Sequence, residues 1–168
     1  GLIGFDPLDS VLAGGLRPGE LTLLGGPQGL GKTTFALQVA REAAGAGHPV
    51  LYVSYEHSAT NLLERLLAAE SGERAGTDAV PLRDVRALVE GDGSAASLTD
   101  KLAQTPGGAD ALASVATALA QLHVLRASVA TSARDIAEAA GSVTGEGSAA
   151  PLVVVDYVQK VAAPAACS

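Results

Sequence analysis

The chain has 168 residues, a length that suits one domain with a real core. Hydrophobic residues make up 48% of it, which excludes a disordered chain, and aromatic residues only 3%, so the core must consist mainly of Leu, Val and Ala. The net charge of −7 gives no support to nucleic-acid binding by bulk charge and leaves a local patch as the remaining route. The lone Cys167 cannot build a disulfide framework, so we expect a reducing cytoplasm. No apolar run is long enough to span a membrane.

Residues 1–20 are interpreted as a lead-in, and residues 21–160 as the nucleotide-binding core of a single domain spanning 1–168. Asp6–Leu12 predicts a short helix, with Asp6 as its cap and Pro7 at the first helical position. A glycine pair ends this helix, and a turn leads into the apolar run Leu21–Leu24. That run predicts a short buried strand.

A G-x-x-x-x-G-K-T pattern follows this strand and precedes a helix predicted to run to about Ala44. Its glycines leave no Cβ in the way, so the loop can wrap a polyphosphate and aim its N–H groups inward. The next helix adds the positive end of its dipole at the same point. The predicted nucleotide-binding residues are Gly26, Pro27, Gln28, Gly29, Leu30, Gly31, Lys32, Thr33 and Thr34.

Two side chains of this loop have predicted roles, one in binding the phosphates and one in binding a metal ion. Lys32 would reach the β- and γ-phosphates and stabilise charge on the transferring phosphoryl group, and the Thr33 hydroxyl would hold a Mg²⁺ ion. The alternative is a glycine-rich turn whose lysine is simply solvated.

Strands and helices alternate along the rest of the chain, which predicts an α/β fold with a mostly parallel sheet and helices on both faces. The helix at 58–70 has an apolar stripe centred on Leu62 and Leu66, with Glu64 on its opposite face. Residues 71–80 and 141–150 predict loops. Further strands are predicted at 49–54, 122–125 and 151–155, and further helices at 81–90, 97–104, 109–120 and 131–140.

Two acids lie at the predicted carboxyl ends of strands, where ligands bind in open parallel sheets. Asp156 follows a run of apolar residues and is a candidate Mg²⁺ ligand; the alternative is an acid that caps a turn. Glu56 is the candidate base that activates the attacking water; the alternative is an acid favoured by the next helix dipole. His57 beside it fits a supporting polar role or plain exposure equally well.

Several separated stretches resemble the RecA-like ATPases, and most closely the ATPase domain of DnaB-type replicative DNA helicases. They are Gly4–Asp9, Gly14–Leu21, Tyr52–Ser58, Leu122–Ala140 and Val155–Gln159. The resemblance covers nearly the whole chain except about residues 71–120.

The resemblance implies a RecA-like fold that binds ATP with Mg²⁺, with Glu56 as catalytic base and Gln159 as a sensor of the γ-phosphate. It implies a parent protein that forms a homo-oligomeric ring, a hexamer, on single-stranded DNA and unwinds DNA. The chain ends twelve residues after Asp156. We therefore expect it to lack the C-terminal strands, the DNA-binding loops and the arginine finger of that family.

Two departures keep other interpretations open. Gly25–Gly29 looks more like the loops of the RadA and KaiC relatives, and His57 stands where the helicases commonly have Met. The alternatives are a RadA- or KaiC-type ATPase in recombination or regulation, and a truncated nucleotide-binding remnant without motor activity.

Overall fold

A computed structural model describes residues 3–90, 95–144 and 150–163 of the chain. The chain divides into two compact units, Gly1–Ser58 with Gln121–Ser168, and Ala59–Ala120. The elements are α1 Asp6–Val11, α2 Lys32–Gly45, β1 Val50–Ser54, α3 Ala59–Ala75, α4 Leu82–Val89, α5 Ala95–Ala103, α6 Gly108–Leu119, β2 Leu122–Arg126, α7 Ala133–Ser142 and β3 Leu152–Asp156. None of these helices is long and apolar enough to cross a membrane, a statement that covers the described residues only.

The sheet belongs to the first unit and has the strand order β2-β1-β3. Both strand pairs are parallel, which confirms the predicted α/β class. The register sets Ser54 at the end of β1 beside Arg126 of β2 and Asp156 of β3. All five residues of β1 are buried, because this strand is the central one and its apolar run fits a position covered on both faces.

One part of the core lies where α7 packs on β1. Leu51, Val53 and Tyr55 form a buried cluster there with Ala127 and Ile136. A capping box fixes the start of α7: its N-cap serine accepts a backbone hydrogen bond, and the aspartate three residues later accepts one in return. On the same sheet, α2 contacts all three strands.

The prediction of a strand at Leu21–Leu24 is wrong. This segment joins no β-ladder in the described structure, and Leu21 and Leu23 are 85% and 72% exposed. An apolar run matches the pattern of a strand whether or not a neighbouring strand is available to pair with it. Without such pairing, these four residues gain no inter-strand hydrogen bonds to offset the conformational entropy lost in becoming extended. The loop that follows is therefore not preceded by a strand here.

The lead-in helix α1 forms as predicted, but its cap is a different residue. The N-cap is Phe5, and no side chain caps it, so the prediction for Asp6 is wrong. Asp9 instead turns back over the helix start and accepts hydrogen bonds from the N–H groups of Ile3, Gly4 and Phe5 at 2.6, 3.1 and 3.2 Å. The Phe5 ring stacks on Phe35 of α2, which fixes the lead-in to the helix after the loop.

The second unit differs from the prediction at α3. Glu64, predicted to face solvent, is buried, and its carboxylate pairs with Arg86 of α4 at 3.2 Å. The helix also runs to Ala75, so the prediction of a loop is wrong for residues 71–75. A 3₁₀ turn at Gly76–Asp78 follows. Residues 145–149 of the predicted loop 141–150 lie outside the described residues, as do residues 91–94.

Candidate nucleotide-binding site

The predicted phosphate loop ends at the start of α2, as its mechanism requires. Gly29 and Gly31 have φ of 83° and 79°, in the left-handed region that favours glycine. Gly31 is the N-cap of α2, and no side chain caps this helix. A 14-residue helix thus presents its N-terminal N–H groups and its positive dipole end to the loop.

The Lys32 side chain folds back over the loop that precedes it. Its Nζ donates hydrogen bonds to the carbonyls of Gly26 and Pro27, at 2.8 and 2.7 Å. An ammonium has three N–H donors, so a phosphate oxygen can be added to these two bonds. The cation is therefore held at the mouth of the loop, where an anionic ligand would meet it. Thr33 follows in the first turn of α2 and is half-buried, and Thr34 beside it is exposed.

The second candidate ligand of the metal, Asp156, ends β3 and is half-buried. Its Oδ2 accepts a hydrogen bond of 3.0 Å from the hydroxyl of Tyr52, a fully buried residue of the neighbouring strand. Sequence reasoning missed Tyr52. The signal was present, because a tyrosine inside a buried strand must place its hydroxyl on a partner, and strand-end polar groups are the ones within reach.

Glu56 lies two residues beyond the end of β1, on a turn fixed by a serine. The Ser54 hydroxyl accepts a hydrogen bond of 3.0 Å from the His57 N–H and donates one of 2.8 Å to the His57 carbonyl. The Glu56 side chain is 51% exposed, and its Oε1 lies 3.6 Å from Nζ of Lys160. The candidate base is thus at the surface and ion-paired.

Tyr55, which lies between Ser54 and Glu56, connects this turn to the start of α7. Its hydroxyl donates a hydrogen bond of 3.2 Å to the carbonyl of Thr131. Burial, with the negative charge of Asp135 as a smaller cause, raises the pKa of the Tyr55 phenol. The phenol therefore stays protonated as a donor near neutral pH.

Gln159 is exposed and lies in the 3₁₀ turn Val158–Lys160 that follows β3. Its neighbour Lys160, which sequence reasoning missed, places its ammonium 5.1 Å from the centre of the Tyr157 ring. Nothing in the amino-acid pattern indicated this contact, because Lys160 follows the recognisable motif.

The parallel register brings part of the predicted site together. Since Ser54 is beside Asp156, the Glu56 turn and the Asp156 carboxylate emerge at the same edge of the sheet. Between loop 26–34 and Asp156 the described residues form no hydrogen bond. The described residues also contain no cluster of three His, Cys, Asp or Glu side chains that could hold a metal.

The donor set is nevertheless compatible with ATP and Mg²⁺. A Mg²⁺ ion takes hydroxyl and carboxylate oxygens, keeps several waters and receives its other ligands from phosphates, so it does not require a protein cage. Thr33 and Asp156 supply one ligand of each kind. The role of each predicted site residue remains a prediction.

The parallel sheet with its surrounding helices, and the loop that meets α2 at a left-handed glycine, are consistent with a RecA-like fold. The sequence profile of the DnaB-like helicase C terminal domain matches residues 2–167, and the chain belongs to this family.

Individual relatives match a shorter part. The chain is 54% identical to the DNA repair protein RadA of Mycobacterium tuberculosis over 56 residues, which are 33% of this chain and 12% of that protein. It is 51% identical to RadA of Synechocystis over 57 residues, 34% of this chain and 11% of that protein. With RadA of Aquifex aeolicus the identity is 45% over 62 residues, 37% of this chain and 14% of that protein. The matched segment thus covers only a small share of these relatives.

Proposed function

We propose that this chain binds ATP with Mg²⁺ through the loop from Gly26 to Thr34, and that it is the ATP-hydrolysing domain of a DNA helicase. The observation that carries the proposal is the junction of the loop with α2. Two left-handed glycines, an uncapped helix N-terminus and a lysine held at the loop mouth together suit a polyphosphate. Membership of the helicase family supports the motor role of the whole protein.

The residues act in two groups on this proposal. Lys32 and the loop N–H groups bind the phosphates and stabilise negative charge as the γ-phosphoryl group leaves. Thr33 and Asp156 would hold a Mg²⁺ ion, which would supply positive charge to stabilise the phosphates during hydrolysis. Glu56 accepts a proton from the attacking water, and Gln159 contacts the γ-phosphate.

The Glu56 role can be separated from binding by two variants. Glu56→Gln keeps the size of the side chain and removes its basicity, so we expect unchanged affinity for ATP and a loss of hydrolysis of about 100-fold or more in the full-length protein. Glu138→Gln, on the exposed face of α7, is the matched control and should change neither quantity. Full hydrolysis by Glu56→Gln would contradict the proposed base.

A second candidate function is recombination or DNA repair, as in the RadA relatives. The identity of about half over the matched segments favours it. The two functions differ in what the full-length protein does with DNA. A replicative-type motor should separate the strands of a forked duplex with ATP, whereas a recombination-type ATPase should promote strand exchange with a homologous duplex.

A further inference from the structure

We propose that Lys160 is a positioning residue for Glu56: its ammonium holds the Glu56 carboxylate at the carboxyl edge of the sheet, beside the turn that follows Asp156. The inference rests on the proposed function, in which Glu56 is the base. Its own basis is the ion pair between the two side chains, with Nζ and Oε1 3.6 Å apart.

The backbone that carries Lys160 is fixed on both sides. The turn Val158–Lys160 follows β3 directly, and within it the Lys160 N–H donates to the Tyr157 carbonyl at 3.2 Å. Just past it, the Ala162 N–H donates to the Thr131 carbonyl at 2.9 Å, and Val161 packs against the cluster of β1 and α7. Lys160 therefore extends from a backbone held at both ends.

The Lys160 ammonium also has a second contact that limits where it goes. It lies over the face of the Tyr157 ring, 5.1 Å from the centroid, in a cation–π arrangement. The hydrogen-bonding interaction with the Tyr157 side chain, and to a smaller extent the nearby Glu56 carboxylate, raises the pKa of Lys160. The ring contact limits the positions open to the ammonium, which lies within reach of the Glu56 carboxylate.

Apart from Lys160, the surroundings of Glu56 do little to restrict the position of its carboxylate. Its side chain is 51% exposed, and a glutamate has several rotatable bonds to hold in one geometry. The Ser54–His57 hydrogen bonds fix the backbone of its turn but not its carboxylate. An exposed ion pair contributes little to overall stability, so we expect its effect in catalysis rather than in folding.

The ion pair can be observed directly, because the chain has only three lysines, Lys32, Lys101 and Lys160. With ¹³Cε-labelled lysine, each signal is assigned by its Lys→Arg variant and followed against pH. We expect the Lys160 signal to titrate at lower pH in Glu56→Gln than in the unaltered chain, while the Lys101 signal stays the same. An unchanged Lys160 titration would overturn the proposal.

Steady-state kinetics of the full-length protein test the positioning role. Lys160→Met should lower kcat about two- to fivefold, the range expected of an exposed ion pair, with KM and nucleotide affinity unchanged. Lys160→Arg should restore most of the rate, and Lys101→Met, which removes the same charge from α5, should have no effect. In a Glu56→Gln background, Lys160→Met should lower kcat no further.

Several results would contradict the positioning role of Lys160, and they can be told apart. An unchanged or increased kcat in Lys160→Met would overturn the positioning role, an increase because the pair would then restrain Glu56. An equal loss in both backgrounds would overturn it too, since Lys160 would act independently of Glu56. If Glu56→Gln itself hydrolyses ATP at the full rate, the proposed base fails and the positioning role fails with it, whatever the NMR titration shows of the ion pair.

Discussion

The hydroxyl of Tyr52 donates a hydrogen bond of 3.0 Å to Oδ2 of Asp156, across two neighbouring parallel strands. Tyr52 is fully buried in the central strand, so its ring cannot move without disturbing the core. The bond therefore fixes the orientation of the carboxylate that we propose as a metal ligand. Residues that orient a metal ligand in this way commonly affect metal affinity.

We predict that Tyr52→Phe weakens Mg²⁺-dependent ATP binding about three- to tenfold, because it frees the Asp156 carboxylate without removing the ring. The measurement is a Mg²⁺ titration at fixed nucleotide. Tyr55→Phe is the matched control: it removes another buried hydroxyl, one bound to Thr131 rather than to the site. Equal affinity in Tyr52→Phe and the unaltered chain would show that the bond does not act on the metal.

The Asp9 carboxylate predicts a stability difference within the lead-in. Asp9→Ala leaves three backbone N–H groups without their acceptor, so we expect it to lower the free energy of unfolding by about 1.5–3 kcal/mol. Asp6→Ala, which removes an exposed acid from the same helix without a cap bond, should cost about 0.5 kcal/mol or less. Urea unfolding of both variants measures the difference, and equal losses would contradict the hydrogen-bond assignment.

The exposed segment Leu21–Leu24 gives a second comparison of stabilities. Leu23→Ala should change the free energy of unfolding by about 0.5 kcal/mol or less, because Leu23 is 72% exposed. Leu37→Ala, the same change in the buried face of α2, should cost about 2–5 kcal/mol. A loss for Leu23→Ala as large as that for Leu37→Ala would mean that the segment is a buried strand after all.

The capping box at α7 predicts a pH dependence. Hydrogen bonds from Ser132, first from its backbone and then from its side chain, lower the pKa of Asp135 below its ordinary value of 3.8. A carboxyl group with a lowered folded-state pKa stabilises the fold above its unfolded-state pKa, and this contribution is lost as pH falls through the folded-state pKa.

We therefore expect Asp135→Asn to be less stable than the unaltered chain at neutral pH, with the difference shrinking as pH falls below about 4. Thermal unfolding from pH 7 downward measures the trend. Glu138→Gln, in the same helix but past its first turn, is the control. A stability difference that stays constant down to the acid limit would exclude the charged form of Asp135 as the origin of the effect.

Sequence reasoning predicted the parallel α/β class because its signals are local. The runs at β1 and β3 are apolar along their length, which favours strands buried in a parallel sheet, and the loop at Gly26–Thr34 follows a fixed spacing. Sequence reasoning was wrong where the structure of a segment depends on contact with a distant part of the chain. The apolar run at Leu21–Leu24 lacks a neighbouring strand, and Glu64 is buried because Arg86, 22 residues later, meets it.

The same distinction applies to the candidate site. Residues within a motif, such as Lys32 and Asp156, could be nominated from spacing and type. Tyr52 contacts Asp156 from 104 positions away, and Lys160 meets Glu56 only because β1 and β3 are neighbours. Such contacts depend on the strand order, which the amino-acid pattern does not determine.

The most direct test of the central claim is equilibrium binding of a fluorescent ATP analogue, with and without Mg²⁺, to this chain, to Lys32→Ala and to Lys101→Ala. We predict Mg²⁺-dependent binding by the unaltered chain and by Lys101→Ala, and a loss of affinity of about 100-fold or more in Lys32→Ala, because its ammonium lies at the loop mouth. Equal binding by Lys32→Ala, or no binding by the folded unaltered chain, would contradict the assignment of Gly26–Thr34 as its nucleotide site.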